Sequence, residues 1–182
     1  MSETGRQKAK ASWLSKPAVQ KLAEDIATQL EYQPAGDLEP ILKRLGGRLV
    51  IKDFWDLENT DSGSIEIDGP GKFDIYVSNL TSALRDRFTI AHEIGHYVLH
   101  YLYPRKNGEE LTKVFATRYI DAENQREEWE ANWFAASFLM PEEKFKAAYG
   151  RHGGDFSAIA EEFGVSRKAA KVRAKATGCT EE

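Results

Sequence analysis

Residues 87–96 read RFTIAHEIGH and lie within a longer stretch whose apolar residues recur at helical spacing. Histidines four positions apart project from the same face of an α-helix, so His92 and His96 can share one metal ion. Glu93 lies about 100° around the helix from His92, which places its carboxylate beside such an ion. Two histidine ligands with an adjacent general base are typical of the HExxH zinc peptidases.

A catalytic zinc site needs a third protein ligand, and the sequence offers glutamates rather than a suitably spaced third histidine. A predicted helix over residues 122–139 contains both candidates, Glu128 and Glu130. Glu128 is favoured because it shares a helical face with Asn132, whose amide can hydrogen-bond to a ligand histidine. Glu130 points elsewhere on the helix and is the alternative ligand. His100 extends the histidine stripe by one turn, and we expect it to be structural or to support a ligand.

The rest of the chain predicts a sheet ahead of the metal helix and further helices behind it. Apolar residues recur first at helical spacing and then in short runs separated by turn residues. The predicted helices span residues 17–30, 38–45, 81–103, 122–139, 141–149, 155–163 and 166–176, and the predicted strands span 48–54, 63–67 and 72–78. Residues 111–121 fit neither pattern. These elements predict an α+β fold, in which helices and a C-terminal helical pair surround a small, mainly antiparallel sheet.

The composition is that of a globular protein. Hydrophobic residues make up 41% and charged residues 30% of the chain, a mixture that excludes the disordered and membrane classes. No run approaches the roughly 20 apolar residues of a membrane span. The single cysteine, Cys179, cannot form an internal disulfide, which fits a reducing compartment and predicts a cytoplasmic location. The formal net charge of −4 gives no general attraction to nucleic acid.

Two further segments, taken together with the HExxH helix, resemble a known family. Residues 128–141 read EWEANWFAASFLMP, and residues 159–166 read IAEEFGVS. With residues 87–96 they resemble the ImmA/IrrE family of metallopeptidases, and the likeness extends over about residues 38–178. This combination of segments is far more specific than HExxH alone.

The resemblance implies a zincin-type core that holds Zn²⁺ through His92, His96 and Glu128, with Glu93 as the catalytic base. The spacing from Glu128 to Asn132 is also similar to that of thermolysin-like enzymes, which supports Glu128 over Glu130. Members of the family typically cleave or otherwise inactivate a helix-turn-helix repressor encoded nearby. The resemblance therefore implies an intracellular endopeptidase that switches on stress-response or mobile-element genes.

The domain organisation predicted from these observations has three parts. Residues 1–12 are polar, lack the apolar core of a signal peptide, and are expected to form a flexible tail. Residues 13–150 are expected to form the zincin-like metallopeptidase domain. Residues 151–182 are expected to form a helical pair packed on that domain.

Two other functions remain open from the sequence. A basic second helix in the 151–182 pair is typical of a helix-turn-helix, so the chain could bind DNA directly, although its acidic surroundings do not favour this. Alternatively, the chain could sequester a repressor without cutting it, as an antirepressor or toxin–antitoxin module. Glu93 argues against this second alternative, because a structural zinc site needs no general base.

Two details of the catalytic reaction can be assigned only as candidates. Tyr97 or Tyr119 is a candidate donor to the oxyanion that forms during peptide hydrolysis. The predicted strand over residues 72–78 is a candidate edge strand that would pair with an extended substrate.

Overall fold

The computed structural model describes residues 6–53, 64–111, 113–117 and 125–180, which form one mixed sheet and a set of surrounding helices. The strands are β1 (Arg6–Lys8), β2 (Gly47–Lys52), β3 (Ser64–Gly69), β4 (Lys72–Ser78) and β5 (Lys113–Thr117). The helices are α1 (Lys16–Gln29), α2 (Glu39–Leu45), α3 (Ala83–Tyr97), α4 (Tyr103–Lys106), α5 (Gln125–Leu139), α6 (Glu142–Arg151), α7 (Phe156–Phe163) and α8 (Arg167–Ala176). The predicted α+β class is confirmed.

The sheet is small and open, with the strand order β1-β5-β3-β4-β2. Its central strand β3 is antiparallel to both β4 and β5, whereas β1 and β2 join the two edges in parallel. Strand β4 therefore has a neighbour on each side. The interpretation of residues 72–78 as an edge strand for substrate is wrong, because β2 occupies that side of β4 through backbone pairing that no periodicity reveals.

Helix α3 packs between the sheet and α5. Ser82 caps its N-terminus by accepting a hydrogen bond from the backbone of Arg85, and residues 89–97 are all buried. The two helices approach closely at Gly95. A Cβ added there would lie 3.1 Å from Cβ of Phe134 and 3.2 Å from Cα of Ala131. The absence of a side chain at Gly95 therefore permits this close packing, which brings the HExxH turn against α5.

The predicted helix over residues 81–103 changes geometry near its end. Helix α3 ends at Tyr97, and a π-helical segment, Val98–Leu102, leads into α4. Pro104 has no N–H to donate to the preceding turn, and its ring disfavours regular α-helix there. The wider turn lies directly after the HExxH motif. Turns of π-helix occur frequently at functional sites.

The N-terminal segment is ordered where the structure describes it. Strand β1 pairs with β5, and the N–H of Ala9 donates to the carbonyl of Phe115 at 3.1 Å. Residues 6–9 thus pair with the sheet, in contrast to the flexible tail expected for residues 1–12, and residues 1–5 lie outside the described part. Backbone pairing holds this polar segment, and such pairing leaves no mark in the hydrophobic pattern.

Helices α7 and α8 form the predicted C-terminal pair. Asp155 and Ser166 cap the two N-termini, and Gly164 ends α7 in the left-handed conformation. Within the described ranges, no helix is long and apolar enough to cross a membrane.

Candidate metal centre

Three buried side chains from two helices converge on one point. His92 and His96 come from α3, and Glu128 comes from the first turns of α5. The Nε2 atom of His92 lies 3.2 Å from one carboxylate oxygen of Glu128, and the Nε2 atom of His96 lies 3.1 Å from the other. The two Nε2 atoms are 3.1 Å apart. All three ligand atoms therefore face a common centre.

This donor set fits a divalent zinc ion. Two imidazole nitrogens and one carboxylate oxygen are the ligands of one class of catalytic zinc site, which keeps a further position for water or substrate. The ligand atoms of His92, His96 and Glu128 lie within 4.8 Å of one another, and among the described residues these three side chains form the group that could hold a metal ion.

Asn132 orients the first histidine. Its Oδ1 atom lies 3.0 Å from Nδ1 of His92, one helical turn beyond Glu128. An amide oxygen accepts hydrogen bonds, so Nδ1 carries the proton and Nε2 presents its lone pair to the cluster. The i, i+4 spacing on α5 predicted this contact.

Glu130 faces a different set of partners. One oxygen lies 3.0 Å from Nε2 of His100 and also accepts the N–H and hydroxyl of Ser12 at 2.8 and 2.7 Å. The other accepts the N–H of Trp13 at 3.0 Å and Nε–H of Arg126 at 2.9 Å. These donors hold the carboxylate away from the cluster. The carboxylate of Glu130 thus lies outside the cluster, whereas the carboxylate of Glu128 lies within it.

A hydrogen-bonded chain links Glu130 to the second histidine. The carboxylate accepts from Nε2–H of His100, whose Nδ1 lies 2.9 Å from Nδ1 of His96. His100 Nδ1 is then the acceptor, so His96 carries its proton on Nδ1 and turns the lone pair of Nε2 toward the cluster. Glu130 and His100 therefore select the tautomer of His96 that can bind a metal.

The electrostatics agree with this arrangement. Burial lowers the pKa of His100 to about 4, against the opposing effect of Glu130, so its imidazole is neutral at neutral pH. Burial alone would raise the pKa of Glu128, but its close contacts with His92 and His96 outweigh that effect and hold the pKa well below its usual range. The cluster thus contains an ionised carboxylate, which is the form of Glu128 that metal binding requires.

Glu93 occupies the position that HExxH assigns to a base. It follows His92 on α3 and is only 1% exposed.

The structure describes one of the two tyrosines that are candidate donors to the oxyanion. The hydroxyl of Tyr97 accepts the N–H of Gly71 at 2.8 Å and its ring stacks on Phe73, so Tyr97 faces the β3–β4 turn. Tyr119 lies outside the described residues.

Comparison with known proteins places this site in a family. Residues 49–175 match the family model Peptidase_M78, the IrrE N-terminal-like domain. The match covers well over half of the chain and includes His92, Glu93, His96 and Glu128. The chain belongs to this family. The resemblance to the ImmA/IrrE metallopeptidases is thereby confirmed.

A solved structure shares the fold of this IrrE N-terminal-like domain. A Mycobacterium tuberculosis transcriptional regulator superposes with a TM-score of 0.60 at 20% sequence identity. The match covers 86% of this chain and 46% of that protein, so the chain spans less than half of its neighbour's length. No curated protein matches the chain.

The residues that support the site in this IrrE N-terminal-like domain differ in how far the sequence indicates them. His100 carried a signal, because it continues the four-residue spacing of the histidines, and it does contact His96. The pairing of Glu130 with His100 had no such signal. Ser12, Trp13 and Arg126 reach Glu130 from the N-terminal segment and from the same helix, and neither periodicity nor motif spacing indicates those contacts.

We expect Glu130→Gln to weaken zinc binding by about 10- to 100-fold, because the amide no longer fixes the His100–His96 tautomers. Glu127→Gln is the matched control. Glu127 also accepts a hydrogen bond from the N-terminal segment, at the N–H of Ala11, but does not contact His100. Zinc dissociation constants measured by competition with a chromophoric chelator distinguish the two variants. Equal affinities would contradict the supporting role of Glu130.

Proposed function

We propose that the chain is a zinc-dependent endopeptidase that cleaves a helix-turn-helix transcriptional repressor. The observation that carries this proposal is the convergence of His92, His96 and Glu128 beside the buried Glu93. Membership of a family described as a peptidase family supports the same reaction.

Each residue has a distinct role in the proposed reaction. His92, His96 and Glu128 would hold the ion, and Zn²⁺ supplies Lewis acidity that polarises a peptide carbonyl and lowers the pKa of water to about 7. Glu93 accepts a proton on its carboxylate as water attacks the peptide carbon, and then donates that proton to the leaving amide nitrogen. Asn132 and the Glu130–His100 pair keep the two imidazoles in the ligand tautomer.

The proposed substrate is a repressor encoded near the gene for this chain. The ImmA/IrrE resemblance supports a role in switching on stress-response or mobile-element genes from the cytoplasm. The structural neighbour is itself called a transcriptional regulator, which fits this setting without identifying a substrate.

The test is a cleavage assay with zinc-loaded protein and the helix-turn-helix repressors encoded beside its gene. We expect one repressor to yield two defined fragments, cleavage to stop when the metal is chelated, and cleavage to return when zinc is added. Tight binding of a repressor without fragments would support the antirepressor alternative. Repressors that are neither cut nor bound would contradict the proposal.

Direct DNA binding through α8 is the less favoured alternative. Arg173, one of the basic residues that suggested a recognition helix, is only 2% exposed and donates to the carbonyl of Met140 and to Glu24. A guanidinium held in this way is withdrawn from any phosphate contact.

A further inference from the structure

A cleft of about 610 Å³ lies beside the metal centre. It is bounded by α1, the first turns of α3, the middle of α5 and the outer face of α8. Its volume falls within the range of ligand pockets and is sufficient for several side chains of a bound peptide.

The cleft has apolar walls that reach the surface. Phe88, Trp133 and Met140 form part of the lining, and Leu84 and Val172 stand near its opening. Leu84 is 46% exposed and Val172 is 59% exposed. Single exposed apolar residues are ordinary on protein surfaces, but these two extend the apolar surface of the cleft to its opening.

The rim of the cleft is positively charged although the chain is acidic overall. Lys16, Arg85 and Lys168 come from three different helices and all line it. No Asp or Glu occurs among the described residues of the lining, whereas the whole chain has a formal net charge of −4. The local potential therefore favours an occupant that carries carboxylates.

The inner end of the cleft contacts the residues that surround His92. Asn132 lines the cleft and hydrogen-bonds to Nδ1 of His92. Phe88 also lines it, and its ring centroid lies 6.5 Å from that of His92. A chain segment bound in the cleft would thus lie within one side chain of the metal ligands.

We propose that this cleft binds the protein substrate through a segment in which apolar side chains are flanked by aspartate or glutamate. The inference rests on the proposed peptidase function and adds the chemistry of the recognised segment. Apolar side chains fill the space between Phe88, Trp133 and Val172, and the flanking carboxylates meet Lys16, Arg85 and Lys168. A metal ion held by His92, His96 and Glu128 would interact with any peptide carbonyl, so this cleft supplies the selectivity.

The test is a selection of short random peptides displayed on phage against the zinc-loaded Glu93→Gln protein, which binds without cutting. We expect the enriched peptides to combine apolar with acidic residues. Their affinities are then measured by fluorescence anisotropy. Val172→Asp and Lys168→Glu are each expected to weaken binding by about tenfold or more. Lys168→Glu is also expected to prefer peptides whose acidic residues are replaced by lysine.

Two variants match these changes outside the cleft. Ile51→Asp places the same charge at another exposed apolar residue, and Lys175→Glu makes the same reversal elsewhere on α8. We expect both to bind the peptides as the parent protein does. Enrichment of basic peptides, no enrichment, or equal losses in cleft and control variants would overturn the proposal. Displacement of bound peptide by random-sequence duplex DNA would assign the basic rim to nucleic acid and also overturn it.

The outcomes separate this inference from the proposed function. Peptides that bind in the cleft while the wild-type protein cuts no repressor would leave the cleft assignment standing and remove the peptidase. A repressor cut at the same rate by Val172→Asp, Lys168→Glu and wild type would remove the cleft and leave the peptidase.

Discussion

Glu93→Gln is expected to reduce the rate of repressor cleavage by about 10²- to 10⁴-fold while zinc stays bound. Glutamine has nearly the same shape as glutamate, so the packing around this buried position on α3 is preserved. Its amide cannot accept a proton from the attacking water. The loss should therefore appear in kcat at saturating substrate, with zinc content unchanged by elemental analysis.

The matched control for this prediction is Glu161→Gln, the same change at an exposed position on α7. It should cleave at the wild-type rate. A Glu93→Gln protein that retains zinc and full activity would exclude Glu93 as the base.

Arg173→Ala is expected to lower the free energy of unfolding by about 3–5 kcal/mol. The guanidinium is buried at the junction of three elements, where it donates to the carbonyl of Met140 at 2.9 Å and to Oγ of Ser137 at 3.1 Å. It also pairs with Glu24 of α1 at 3.0 Å. Alanine leaves a cavity, an unpaired carboxylate and a buried carbonyl without its donor, and each of these costs free energy.

Chemical denaturation measures this loss, with Arg167→Ala as the control. Arg167 is exposed at the start of the same helix, and its replacement should change the unfolding free energy by no more than about 0.5 kcal/mol. If the two variants lost the same free energy, Arg173 would not be the residue that fastens α8 to α1 and α5.

The metal cluster could be predicted because its geometry depends on residues that are close together in the sequence. His92 and His96 share a helical face through their four-residue separation, and Glu128 and Asn132 do so on α5. In a regular helix the spacing of two residues fixes whether their side chains share a face. The approach of α3 to α5 does not follow from these spacings and is known from the structure. Gly95 permits that approach, since it leaves room for the backbone of α5.

The long-range contacts could not be predicted in this way. Ser12 lies 118 residues from Glu130 in sequence, and nothing in either segment's periodicity joins them. The alternation of buried and exposed residues in β4 is the same for an edge strand and an interior strand. The interior position of β4 depends on its parallel partner β2, which follows α2 in the chain. The π-helical segment after Tyr97 likewise depends on how the turn before Pro104 packs.

The zinc content of the purified protein, reloaded with zinc and analysed for metal and protein together, tests the central claim most directly. We expect one ion per wild-type chain and the loss of that ion in both His92→Ala and Glu128→Ala, with each variant shown to be folded by circular dichroism. A folded wild-type protein that binds no zinc, or a Glu128→Ala protein that binds it as tightly as wild type, would contradict the metal centre described above.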